Sequence, residues 1–91
     1  MLFIRKVVGD SMAPTLKHGQ IILGWHSRTF KPGQVVVAYV QGQEVVKRIK
    51  STNGGTVRLE GDNSKSSTDS RDYGSIPDTK IEGVVIWPRT R

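Results

Sequence analysis

Two residues of this 91-residue chain stand where chemistry could begin. The first is Ser11, in Val8-Gly9-Asp10-Ser11-Met12-Ala13-Pro14-Thr15-Leu16. A strand candidate runs into Gly-Asp-Ser, and Pro14 prevents a strand or helix from continuing smoothly, so Ser11 is displayed on a sharp bend. A serine so placed is a nucleophile or a turn residue. Gly, Asp, Ser and Pro are ordinary turn formers, and taken alone the segment reads as a turn. The second residue is Lys47. Side chains alternate faces along a strand, so in 43–50 Val45, Lys47 and Ile49 share one face while Val46, Arg48 and Lys50 share the other. A single cation among apolar neighbours either snorkels from a strand edge to water or needs a second residue to give it chemistry.

The elements that must position these residues are strands. Eleven Val, seven Ile and seven Thr stand against four Leu and two Ala, a β-branched excess that favours an all-β domain. Turn signals recur at His18-Gly19, Pro32-Gly33, Gln41-Gly42, Asn53-Gly54-Gly55, Gly61-Asp62-Asn63, Tyr73-Gly74 and Pro77-Asp78. Between them the pattern predicts strands at about 2–8, 20–25, 34–40, 43–50, 56–60 and 80–87, with a tight hairpin at Gln41-Gly42. This length suits one modest core and excludes most large-cofactor and multidomain enzymes. The chain has no Cys, which removes disulfides, thiolate zinc sites and a Cys nucleophile. Its +6 charge comes mostly from dispersed cations, with groups only at Arg5-Lys6, at Lys47, Arg48 and Lys50, and at Arg89 and Arg91. Such a surface reads as solvation, and no nucleic-acid partner is expected. The longest apolar run is six residues, Val35 to Val40, against the ~20 that span a bilayer.

Several boxes together carry a resemblance. Gly9-Asp10-Ser11-Met12-x-Pro14-Thr15-Leu16, Gly33-x-Val35-Val36, Val46-Lys47-Arg48-Ile49, Gly61-Asp62-Asn63-x-x-x-Ser67-x-Asp69-Ser70-Arg71-x-x-Gly74 and Ile81-x-Gly83 resemble, in order, the boxes of the type I signal peptidase family. Any one box is weak, whereas several in register are strong. The resemblance implies a serine endopeptidase with a Ser/Lys dyad on a mainly β fold. That fold is one small domain of twisted antiparallel sheets forming a partly open barrel, shared with the self-cleaving domain of SOS repressors. By match of motif Ser11 is the nucleophile and Lys47 the general base. A free Lys, with pKa near 10.4, is neutral in only about four molecules per ten thousand at pH 7. Lowering that value by three units costs about 4 kcal/mol, which an apolar site of the kind suggested by Val45 and Ile49 could impose.

The same resemblance places a hydroxyl from Ser67 on the base and an Asp69–Arg71 ion pair beside the site, in a segment that otherwise reads as a solvated loop. Asp62 and Asn63 read as turn formers in that box. The oxyanion is assigned to the Ser11 backbone N–H, with the second donor open, because Gly9 stands where many membrane enzymes of the family have a serine. Family substrates lie extended beside the dyad, so Val7, Val8, Gly9, Met12, Val45 and Val46 are expected to line a groove, with core packing as their alternative role. No metal or other cofactor is expected. A calcium loop at Asp62-x-Ser64-x-Ser66 lacks the required Gly and terminal acid. His18 and His26 read as turn or surface residues, and Trp25 and Trp87 as core or rim aromatics.

Only thirteen residues separate Lys47 from Gly61, so the expectation is a single minimal peptidase domain over 1–91, without a transmembrane anchor or the large β insertion of the membrane enzymes. Ser-Thr-Asp-Ser-Arg (67–71) and Trp87-Pro88 resemble short soluble maturation proteases of nickel-type superoxide dismutase. The expected partner is a precursor protein bound as an extended strand, such as a nickel superoxide dismutase precursor, and the expected location is cytoplasmic. Two alternatives stay open: a membrane-associated signal-peptide-cleaving enzyme whose Leu2-Phe3-Ile4 edge meets a membrane surface, and a non-catalytic, repressor-like binding or dimerisation module.

Overall fold

The β-branched runs pair into one antiparallel sheet, because each is short, bounded by turn residues and apolar on at least one face. The computed structural model describes residues 1–63, 65 and 74–90. Its strands are β1 (Leu2–Lys6), β2 (Ile21–Trp25), β3 (Val35–Val40), β4 (Gln43–Asn53), β5 (Thr56–Glu60), β6 (Ile76–Pro77) and β7 (Ile81–Trp87), with one 3₁₀ turn at Asp78–Lys80. They lie in the order β1-β2-β7-β3-β4-β5-β6, curled into a half-barrel, so the expected mainly β, partly open barrel is a single seven-stranded sheet. Among the described residues no helix is long and apolar enough to cross a membrane.

The six predicted strands all form, and the differences have local causes. β4 runs on to Asn53 because a register shift between Ile49 and Ser51 absorbs Lys50 and lets Ser51, Thr52 and Asn53 pair with Arg58, Val57 and Thr56. β6 is two residues long and carries no periodicity to read. The Gln41-Gly42 hairpin closes as expected, with both residues at positive φ (52° and 78°), the twist that suits a two-residue turn.

Register sorts the core into two faces. β3 is the central strand, apolar along its whole length, and it packs on both sides, so its run does not alternate. Val35 and Val37 face a cluster with Val7, Met12, Leu16, Ile22 and Val85, against which Phe3 and Val46 pack. Val36, Ala38 and Val40 face the other cluster, with Ile49, Val57, Leu59 and Ile81. The pairings Val36↔Lys47 and Val35↔Arg48 then place consecutive cations of β4 on opposite faces. Gly83, in the last sequence box, permits close approach: a Cβ there would collide with the Trp25 carbonyl and the Phe3 ring.

Candidate active site

Ser11 sits on a bend fastened at both flanks. Just after it, Met12 and Leu16 are buried in the first cluster, and the Leu16 N–H donates to the Met12 carbonyl at 2.9 Å. The Ala13 N–H donates to the Asp10 carbonyl at 3.1 Å. Asn63 then grips two successive carbonyls of the bend: its backbone N–H donates to Ser11 O at 2.8 Å, and its Nδ2 to Asp10 O at 3.1 Å. Ser11 itself is half-buried.

Lys47 is the one buried charged residue among the described residues, at 4% exposure. It lies opposite Val36 and alternates with Val45 and Ile49, on the face of the sheet that carries the second apolar cluster. Removing an ammonium from water acts against the charged form. The next residue, Arg48, emerges on the other face and gathers three segments. Its Nε and Nη2 bind Asp62 Oδ1 and Oδ2 at 2.9 and 2.8 Å, its Nη1 donates to Gly33 O at 2.7 Å, and Nη2 also reaches Thr90 O at 2.6 Å. Asp62 in turn accepts the Thr15 hydroxyl at 2.5 Å. The Arg48 guanidinium holds the Asp62 carboxyl below its ordinary value against the opposing effect of burial, and the Thr15 hydroxyl adds to the lowering. Asp62 correspondingly raises Arg48.

The strand of Lys47 and the bend of Ser11 are therefore coupled through adjacent residues, Asp62 to Arg48 and Thr15, and Asn63 to Asp10 and Ser11. Among the described residues, Ser11 is held through its backbone carbonyl, which accepts the Asn63 N–H.

Of the residues expected to line a groove, Val7 (3% exposed) and Met12 (1%) point into the core, Val8 (81%) and Gly9 are open to solvent, and Val45 and Val46 are half-buried. Ser67, Asp69 and Arg71 lie outside the described residues. Trp25 and Trp87 are rim residues, each about half-exposed. The bracing roles of Thr15, Arg48, Asp62 and Asn63 were not read from sequence. Period-two alternation puts Arg48 beside Val46 and Lys50, a face that gave no sign of an anionic partner fourteen residues away.

A second polar cluster lies apart from these residues. Arg5 binds both carboxylate oxygens of Glu44 at 2.9 and 3.1 Å and approaches Glu82 at 3.6 Å. Burial, and then the neighbouring Glu44 carboxyl, push Glu82 above the usual carboxylate range, with Arg5 opposing. Among the described residues, no hydrogen-bond partner reaches the buried Glu82 Oε2. The backbone carbonyl of Glu82 accepts from His26 Nδ1 at 2.8 Å, so His26, though exposed, is not merely a surface residue.

A family model described as Peptidase S24-like matches residues 1–86, nearly the whole chain and every strand but the last residue of β7. The chain belongs to this Peptidase S24-like family, in agreement with the signal-peptidase-type resemblance of its ordered boxes. No curated protein matches the chain.

Proposed function

We propose that this chain is a serine endopeptidase that removes an N-terminal leader or signal segment from precursor proteins, with Ser11 as nucleophile and Lys47 as general base. The observation that carries the reading is the burial of Lys47 at 4% exposure beside Val36, Val45 and Ile49, an environment that favours the neutral amine a base requires. Neutral Lys47 Nζ takes the Ser11 hydroxyl proton as Oγ attacks the scissile carbonyl. The Ser11 N–H stabilises the oxyanion, the resulting ammonium protonates the leaving amine, and water, activated by the regenerated amine, releases the acyl group. Ser67 would hydrogen-bond the base and an Asp69–Arg71 pair would brace it. The substrate enters as an extended strand past Val8 and Gly9, with the cytoplasm as the compartment and a nickel superoxide dismutase precursor as the substrate to try first. The experiment is incubation with that precursor and, separately, with a secretory precursor, followed by N-terminal mapping. A new N-terminus made by the wild type and absent with Ser11→Ala supports the reading, and intact precursor in both arms counts against it.

A second reading places the same chemistry at a membrane surface. It is favoured by one specific observation: Leu2 pairs with Trp25 and Ile4 with Leu23 on one face, and Leu2, Ile4, Trp25 and Trp87 are each half-exposed or more. Cosedimentation with anionic vesicles, compared between the wild type and Trp25→Ser, separates the two. Membership of a peptidase family does not by itself carry activity, so a binding module is the third outcome, marked by a folded chain with no reactive serine.

A further inference from the structure

His18 lies in the turn that closes β1 onto β2, seven residues past Ser11 and outside every box that carries the family resemblance. Its Nδ1 accepts the Gly9 N–H at 2.8 Å. That bond extends a short ladder beyond the strands, in which the Val7 N–H donates to Gln20 O at 2.9 Å and the Gly19 N–H to Val7 O at 2.7 Å. The turn is itself closed, since the Gln20 N–H donates to Lys17 O at 3.1 Å and the Lys17 N–H to Gln20 Oε1 at 3.0 Å. Gly9 has φ +86°, a left-handed conformation in which this chain departs from the strand two residues before Ser11. Asn63 fixes the far side of the bend, at Asp10 and Ser11, and His18 fixes the near side.

We infer that His18 is a positioning residue for Ser11, holding the Gly9-Asp10-Ser11 bend through an Nδ1 that accepts the Gly9 N–H. The inference rests on Ser11 being the nucleophile.

The test uses the ¹⁵N-labelled chain as wild type, His18→Asn, whose Oδ1 can accept in place of Nδ1, and His18→Ala. Ser11 acylation by a β-lactam electrophile is followed by intact mass, and the Gly9 amide by NMR. The Gly9 resonance is expected to move in His18→Ala and to stay near its wild-type position in His18→Asn. Acylation should fall about tenfold in His18→Ala and stay within about twofold in His18→Asn. A Gly9 amide unmoved by His18→Ala, or acylation in His18→Ala at the wild-type rate, overturns this inference alone. No acylation of wild-type Ser11 at any pH overturns the nucleophile assignment and this inference with it.

Discussion

Arg48 and Asp62 form a two-bond ion pair, 2.9 and 2.8 Å, that ties the strand of Lys47 to the bend of Ser11, because Asp62 also accepts the Thr15 hydroxyl. A planar guanidinium meeting a carboxylate fixes orientation as well as distance. Neither residue needs to take part in chemistry. Their geometry sets the relation between the two residues proposed to do so.

Arg48→Lys is expected to behave nearly as badly as Arg48→Ala, since an ammonium cannot satisfy Asp62, Gly33 O and Thr90 O from one planar fork. Each substitution should cost about 1–3 kcal/mol in urea unfolding. An Arg48→Lys variant of wild-type stability would show that the pair is a solvated surface contact.

Two carboxylates should shift stability with pH in opposite directions. Asp62 is held low, so its contribution is present above the ordinary Asp value and is lost as pH falls through its depressed value. Asp62→Asn should therefore be less stable than the wild type near neutrality and converge on it in strong acid. Glu82 is pushed up, so the fold retains its proton longer than the unfolded chain, and stability declines as pH rises from the ordinary Glu value through the raised one. Glu82→Gln should match the wild type in acid and exceed it near neutrality. Unfolding free energies measured from pH 3 to 8 check both signs, and curves parallel to the wild type would contradict them.

Two glycines beside Phe3 should respond differently to added volume. The nearest atoms to a Cβ at Gly24 all belong to the Phe3 ring, whereas one at Gly83 would meet the Trp25 carbonyl first. Gly24→Ala should lose about 1–3 kcal/mol and recover part of it with Phe3→Leu, while Gly83→Ala should not recover, because backbone cannot move aside. A double-mutant cycle by thermal or urea unfolding measures the difference.

Legibility in the sequence followed the reach of each signal. Strands with β-branched runs and turn punctuation, such as Val35–Val40 and Thr56–Glu60, were readable because period and boundaries are local. β6 was not, since two residues carry no period and it exists only by pairing with Thr56 and Val57. At the site, alternation correctly put Lys47 with Val45 and Ile49. It could not show that Asp62 and Asn63, which look like any turn, brace Arg48, Thr15 and the Ser11 bend, because those contacts join segments 14 to 53 residues apart. His18 reads in the sequence as a turn or surface residue for the same reason: its ring belongs to no pattern, and its partner is a backbone N–H nine residues away.

The dyad itself is tested by acylation of Ser11. With a β-lactam or peptide electrophile followed by intact mass, wild type should gain one adduct at Ser11, and Ser11→Ala none. Lys47→Met should stay folded, because an apolar side chain suits the site beside Val36 and Ile49, yet label about 10²–10⁴-fold more slowly. In the wild type the rate should rise with pH at values well below those at which a free Lys loses its proton. Equal labelling of all three proteins, or a wild-type rate that climbs only above about pH 10, would mean that Ser11 and Lys47 do not form a catalytic pair.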